Sequence, residues 1–271
     1  MSSFNDSQPS VSLQKPNVQP PSLPPTDEYG GLLPQLLAEP RMCQAGWGIS
    51  WITKAFAIFK DQFLLWLAIG VAYLVIFVIG SSIPVINFIF PLLSFVFVGG
   101  IIKGCADQAI GSELRFDHLF SAFYTHLKPL IILFVLYLVA IIVAMIPMLI
   151  IFGGMALSLG QESSDVAIAG IVLGSLLLFI LLFPVLMAMW FAPALIVLHN
   201  IEPVQAMKMS FKGCLKNILP FLVFWLIAPI IMILMVVFTL GLGLLALFPI
   251  GMITYYTSYR DVWTDQPLSA V

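Results

Sequence analysis

Six long apolar segments, almost free of charge, constrain the fold of this 271-residue chain more than any other feature. They span about residues 63–82, 85–102, 129–152, 167–198, 218–239 and 242–259. A helix needs about 20 apolar residues to cross the ~30 Å hydrocarbon core of a bilayer, and each segment reaches or approaches that length. Tight connections at Ser81–Asn87 and Leu240–Gly243 predict antiparallel hairpins, whereas Gly153–Val166 is a longer connection. The sequence therefore predicts an all-α membrane protein with six transmembrane helices arranged as three hairpins.

Composition supports this class and limits the partners. The chain is 61% hydrophobic and 9% charged, against about 25% charged residues in soluble domains. A net charge of −2 gives no indication of nucleic acid as a partner. Three scattered cysteines, Cys43, Cys105 and Cys214, form no regular disulfide framework.

The basic residues predict the orientation. All 11 lysines and arginines fall before the first segment, between segments two and three, between four and five, or after six. The opposite connections contain none. Positive residues remain on the cytoplasmic side, so both termini are predicted to be cytoplasmic.

An amphipathic stretch precedes each hairpin. The apolar positions of Ile52–Phe59, Phe116–Leu127 and Val204–Ile218 recur at helical spacing. In the third stretch Lys208, Lys212 and Lys216 form a basic stripe. Helices of this kind lie in the membrane interface, and their lysines favour anionic headgroups. We therefore expect three interfacial cytoplasmic helices and a lipid headgroup site at these lysines.

Three Phe-Pro pairs suggest an internal repeat. Phe90-Pro91, Phe183-Pro184 and Phe248-Pro249 fall in the second segment of each hairpin, and an aromatic residue follows each proline by six positions. The alternative is coincidence in a proline-rich apolar sequence. Proline interrupts helices, so Pro91, Pro184 and Pro249 are predicted helix breaks. Segment four also contains Pro193, which predicts a tilt, a kink or an exit from the membrane before His199.

The central parts of the six segments contain no Asp, Glu, Lys, Arg or His. Buried ionisable groups usually mark ion paths and proton relays in membrane proteins, so the sequence argues against proton or sodium coupling. His118, His126 and His199 have no metal-ligand spacing, and no cofactor or catalytic residue is expected. Gly170 and Gly174 have the spacing that lets helices approach closely, favouring packing within the bundle over a dimer face.

The sequence divides into three parts. Residues 1–40 contain eight of the 19 prolines and are predicted to be a disordered cytoplasmic tail, serving either as a tether or as a docking peptide for a protein partner. Residues 41–263 form the polytopic membrane domain. Residues 264–271 are expected to be a short cytoplasmic C-terminal tail.

Several aromatic, glycine and proline positions carry a family resemblance. They are Ala45–Trp47 with Trp51 and Phe59, Gly99-Gly100, His118–Phe123, and Ala192–Leu195 followed by Pro203, Ala206 and Ser210. Over about residues 41–263 the chain resembles an uncharacterised family of six-helix bacterial inner-membrane proteins. The last run also resembles the membrane domain of some glycerophosphodiester phosphodiesterases. The resemblance implies a bacterial inner-membrane helical bundle and no catalytic residue.

The function expected from the sequence is that of a non-enzymatic inner-membrane scaffold or accessory protein. It would contact anionic lipid through the lysine stripe and protein partners through the tail. The alternative is a transporter or scramblase for uncharged or amphipathic molecules, working without proton or sodium coupling.

Overall fold

The computed structural model describes Thr26 and residues 32–157 and 164–268. The remaining residues lie outside the described ranges, including the proline-rich stretch 20–25, for which the sequence predicts disorder. The chain divides into two compact units, residues 1–33 and 34–271. In the first, Thr26 and Leu32 form an isolated antiparallel bridge. The second unit contains the helices.

Ten α-helices follow one another along the described ranges. They are α1 Trp47–Asp61, α2 Phe63–Ser82, α3 Pro84–Ala109, α4 His118–Thr125, α5 Leu127–Leu157, α6 Ser164–Trp190, α7 Ala192–His199, α8 Pro203–Lys216, α9 Ile218–Phe238 and α10 Leu244–Trp263. α2 and α9, and most of α5 and α6, are apolar on every face, the pattern expected where a helix is surrounded by lipid or protein core. Helices suit this environment because each satisfies its own backbone hydrogen bonds.

Five helical stretches are long and apolar enough to cross a membrane. They are Phe63–Ser82, Ile89–Ala109, Leu127–Ile151, Gly170–His199 and Ile218–Phe238. They coincide with the first five predicted segments. The sixth predicted segment lies in α10, whose second half is buried within the protein and includes Arg260 and Asp261. A sixth span therefore stays a prediction.

Three pairs of consecutive long helices, α2 with α3, α5 with α6 and α9 with α10, are called the first, second and third hairpins below. The short helices α1, α4 and α8 each precede one hairpin and pack against another. α4 packs against α3, α8 against α6, and α1 against both α10 and α9. α4 and α8 thus each contact the second helix of the hairpin that precedes them in the chain. α1, which no hairpin precedes, contacts both helices of the last hairpin. Their position at the membrane interface stays a prediction.

Two glycines make this packing close. A Cβ on Gly100 of α3 would lie 2.4 Å from the carbonyl oxygen of His118, where α4 begins. A Cβ on Gly48 of α1 would lie 2.2 Å from the carbonyl oxygen of Pro220 in α9. Any larger side chain at either position would push the two helices apart.

The contacts between hairpins are unequal. α10 packs against α2, and α3 packs against α5, which joins the third hairpin to the first and the first to the second. Among the described residues, α6 makes no comparable contact with α9. α6 and α9 therefore leave a gap between them, which we call the α6–α9 cleft.

The three Phe-Pro prolines do not interrupt their helices. α3, α6 and α10 continue through Pro91, Pro184 and Pro249, in contrast to the predicted breaks. A proline within a helix leaves the carbonyl four residues earlier without its donor. Beside Pro249, α2 has a glycine, Gly70, whose Cβ would lie 3.3 Å from the Leu245 carbonyl oxygen. The close approach of α2 at Gly70 therefore covers the Leu245 carbonyl, which Pro249 leaves without a donor.

The interruption in this region occurs at Phe191 instead. α6 ends at Trp190, Phe191 forms a bend, and α7 begins at Ala192 with Pro193 in its first turn. Proline is well tolerated at that position because the N–H it lacks would have no helical partner. The kink expected before His199 thus lies beside Pro193 and not at Pro184.

The N-terminal segment 34–43 packs against the end of α10. The Leu37 N–H donates to the Trp263 carbonyl at 2.9 Å, and Leu36 forms an antiparallel bridge with Thr264. The packed unit therefore begins at Pro34, before the boundary predicted at residue 40. The start of the predicted C-terminal tail also belongs to it.

Candidate functional site

The α6–α9 cleft encloses a cavity of about 380 Å³. Phe179, Phe183 and Trp190 line it from α6, and Leu222 and Trp225 line it from α9. Small-molecule sites have volumes of roughly 300–1,000 Å³. The cavity is thus large enough for an apolar group, and its walls offer few hydrogen-bonding atoms.

Trp190 forms the inner wall of the cleft. Its ring stacks on Tyr255 of α10, with centroids 4.2 Å apart, and meets Trp225 edge-on at 5.8 Å. Its indole N–H donates to the Ser258 hydroxyl at 3.0 Å. The hydrogen bond fixes the ring, so this wall is rigid.

Trp225 borders open space on several sides. It lines the cleft, a second cavity of about 280 Å³ that includes Tyr137 and Tyr255, and a third of about 310 Å³ between α9 and α10. Its side chain is 56% exposed. α9 therefore stands away from the bundle at this level.

The start of α9, by contrast, is held by α1. The Trp51 ring packs against Phe221 and Phe224, with centroids 5.0 and 6.4 Å apart. Trp51 is fully buried. This contact fixes one end of α9 next to the cleft.

α8 lies at that same end. Cys214 of α8 lines the cavity, while Lys208, Lys212 and Lys216 are exposed. Phe211 and Leu215 are also exposed, beside the lysines. The outer surface of α8 thus combines basic and apolar side chains, which is typical of a helix at a membrane interface.

One of these lysines has a protein partner. Lys212 Nζ donates to Glu39 Oε1 at 2.6 Å, and this hydrogen bond, with the charges of Lys212 and Lys216, lowers the pKa of Glu39. Lys208 and Lys216 form no salt bridge with any described residue. Two of the three predicted headgroup lysines therefore lack a direct carboxylate partner in the described part of the chain.

Ser210 joins α8 to the bend at Phe191. Its hydroxyl accepts a hydrogen bond from the Phe191 N–H at 2.8 Å and donates to the Met187 carbonyl at 2.7 Å. These are the two groups that an unbroken helix would join directly. A side chain inserted in this way stabilises a kink, and it positions Met187, which lines the cleft.

Asn217, between α8 and α9, binds the N-terminal segment. Its side-chain oxygen accepts from the Cys43 N–H at 2.7 Å, and its amide nitrogen donates to the carbonyls of Arg41 and Gly213 at 2.9 Å each. The side chain is fully buried. Asn217 therefore connects residues 41–43 to the end of the cleft that Cys214 and Ile218 line.

A buried ion pair lies nearby. Lys54 Nζ of α1 donates to both carboxylate oxygens of Asp261, at 3.0 and 2.7 Å, and both side chains are almost completely buried. Burial raises the pKa of Asp261, and the bond from Lys54 opposes this shift. Arg41 donates to the Asp261 and Thr264 carbonyls. We call segment 34–43, Lys54, Asn217 and the end of α10 the basic-end junction.

The other predicted site residues are dispersed. Gly170 and Gly174 lie on α6, which packs against α5, and Gly174 is buried. His118 meets Asp107, His126 meets Asn200, and His199 meets Tyr259. Within the described ranges no group of three metal-ligating side chains occurs.

Sequence reasoning missed Ser210, Asn217 and Asp261 as structural elements of this site. Each is a single polar residue at the edge of an apolar stretch, and its partner is distant in the chain or in another helix. The burial of Lys54 was also missed, because a lysine ahead of the first apolar segment indicates only which side of the membrane that part of the chain occupies. Its position on the otherwise apolar stretch Ile52–Phe59 was the one available signal.

Comparisons with known proteins agree with a membrane protein. A protein of Burkholderia thailandensis named "probable inner membrane protein" is 26% identical over 184 residues, covering 63% of this chain and 67% of that protein. No family model matches the chain. No solved structure matches it. The chain is a multi-pass integral membrane protein with a distant inner-membrane relative, while the similarity to phosphodiesterase membrane domains stays a prediction.

Proposed function

We propose that this chain is a non-enzymatic inner-membrane protein that binds anionic phospholipid at its basic end, the end that carries α1, α4 and α8. The single observation that carries the proposal is the outer surface of α8, where exposed lysines adjoin exposed Phe211 and Leu215. Lysine near a membrane surface contributes about 1 kcal/mol of attraction to anionic lipid. The name of the distant relative supports the inner membrane as location.

The basic end would face the cytoplasm. The distribution of all 11 basic residues supports this orientation. Fusing a fluorescent protein or a periplasmic phosphatase to the C-terminus tests it. Fluorescence without phosphatase activity is expected, and the opposite pattern would reverse the topology.

Lipid binding can be tested by native mass spectrometry of the full chain released from mild detergent. We expect the triple variant Lys208→Gln, Lys212→Gln and Lys216→Gln to lose its preference for phosphatidylglycerol over phosphatidylcholine. The matched control changes Lys60, Lys103 and Lys128 to Gln, which removes the same charge from three other helices, α1, α3 and α5. An equal loss of preference in both variants would mean that net charge, and not α8, attracts the lipid.

The scaffold role would use the N-terminal region as its protein contact. Its eight prolines favour extended conformations that proline-recognising domains bind. Removing residues 1–31 and comparing the proteins that copurify with each form tests this role. An unchanged set would leave the region as a tether.

A second candidate function is passage of lipid between leaflets, and the α6–α9 cleft favours it. An apolar path beside a basic surface is suited to an amphipathic molecule. Reconstituted liposomes with a fluorescent lipid and dithionite would detect such passage. Reduction limited to the outer leaflet, as in empty liposomes, would eliminate this candidate.

A further inference from the structure

We propose that the α6–α9 cleft holds one acyl chain of an anionic phospholipid whose headgroup lies on the lysines of α8. This inference rests on the proposed lipid-binding function and deepens it by naming the second half of the site. The headgroup contact alone would explain a preference for charge. An acyl-chain site would explain retention of a particular lipid molecule.

The chemistry of the cleft excludes water as a stable occupant. A buried water molecule needs two to four polar partners. The indole N–H of Trp190 is already bonded to Ser258, and the Cys214 thiol donates to the Met187 carbonyl at 3.4 Å. An apolar occupant is therefore favoured, since it gains contact with the aromatic walls without competing for hydrogen bonds.

The size of the cleft selects a chain over a helix. An α-helix with side chains is about 10–12 Å across, which a cavity of about 380 Å³ cannot contain over even a few turns. A single flexible hydrocarbon chain can follow the space between Phe179 and Leu222. The surrounding bilayer supplies such chains directly, because α6 and α9 belong to membrane-spanning stretches.

Charge at one end of the cleft selects the headgroup. Cys214 lines the cavity, and Lys216, the last residue of α8, lies on the opposite, exposed face of that helix. Ile218, two residues after Lys216, lines it as well. A lipid with its chain in the cleft would have its phosphate near this end of α8, where the charge of Lys216 is not neutralised by a salt bridge within the described ranges.

The cleft can be filled by a single substitution on a side chain that faces it. Leu222 lines the cavity and is 56% exposed, so Leu222→Trp adds volume without replacing a buried core residue. Leu226→Trp is the matched control, one turn further along α9, on a residue 68% exposed that lines none of the three cavities described above.

The test is native mass spectrometry of the full chain with dioleoyl phosphatidylglycerol, with the α8 triple variant in parallel. We expect Leu222→Trp to reduce retention of one phosphatidylglycerol about tenfold, as expected when about two methylene groups are no longer buried, and Leu226→Trp to behave as the wild type. Unchanged retention in Leu222→Trp, with loss of preference in the lysine variant, would overturn the cleft assignment and leave the proposed function intact. No effect of the lysine variant would instead contradict the proposed function itself.

Discussion

The basic-end junction and the α6–α9 cleft meet where α8 joins α9, and they are built in opposite ways. In the junction, buried polar groups such as Lys54, Asp261 and Asn217 meet partners from distant parts of the chain. In the cleft, the helices are held apart and the walls are apolar. The difference indicates where rigidity is required. Contacts with α1 fix one end of α9, and the rest of the helix stands apart from α6 and leaves the cleft open.

The largest expected effect comes from breaking the ion pair in the junction. Asp261→Asn leaves the Lys54 ammonium buried without a countercharge, which should cost about 3–5 kcal/mol and lower the thermal unfolding midpoint in detergent. Asp117→Asn, in the exposed pair with Arg115, is the control and should leave the midpoint unchanged. A stable Asp261→Asn variant would mean that the junction does not hold the fold.

Two tryptophans compare the regions directly. Trp51 is fully buried in the contact between α1 and α9, whereas Trp225 borders three cavities. Trp51→Ala should cost about 3–5 kcal/mol, and Trp225→Ala should cost clearly less. Thermal unfolding of both variants in the same detergent measures the difference. Equal destabilisation would remove the distinction between a rigid and an open region.

Asn217→Ala should give an intermediate effect. It leaves the buried Cys43 N–H without its acceptor, at a cost of about 1–3 kcal/mol. Burial raises the pKa of the Cys43 thiol to about 12, so the thiol should react slowly with maleimide at neutral pH in the wild type and faster in the variant. Peptide mapping by mass spectrometry distinguishes Cys43 from Cys105 and Cys214. Identical labelling rates would show that Asn217 does not hold the N-terminal segment.

The smallest effect is expected at Glu39. Lys212 lowers the pKa of this carboxyl, so the stabilisation from the pair is present above the ordinary value of 4.5 and is lost as the pH falls further below it. Because both groups are exposed, Glu39→Gln should leave the unfolding midpoint unchanged at neutral pH. The same change should increase phosphatidylglycerol retention by releasing Lys212. Reduced retention would indicate that Glu39 helps to form the lipid site.

The sequence predicted well those elements that are determined by the length, composition and spacing of residues within one segment. Five apolar segments became helices of spanning length because length and composition decide that property without tertiary contacts. The exposed lysines of α8 followed from helical spacing in the same way. The Phe-Pro pairs were less informative, since a helix in a packed bundle can continue through proline, as α10 does beside Gly70.

The remaining features depend on pairings that no local pattern records. Lys54 and Asp261 are separated by 207 positions, and Leu36 meets Thr264 from the opposite end of the chain. The bend at Phe191 depends on a serine in α8, 19 positions further along the chain. The α6–α9 cleft could not be predicted either, because no local pattern in the sequence records how far apart two helices stand.

Photocrosslinking in native membranes tests the central claim most directly. A diazirine-bearing amino acid of about the size of leucine, which leaves room for a chain, is placed at Leu222, inside the cleft, or at Leu226, outside it, and the adducts are identified by mass spectrometry. We predict that the Leu222 position captures acyl chains of phosphatidylglycerol or another anionic phospholipid in excess of their share of the membrane, while the Leu226 position captures lipids in proportion to bulk composition. Adducts of the same composition at both positions would contradict a specific lipid site in the α6–α9 cleft.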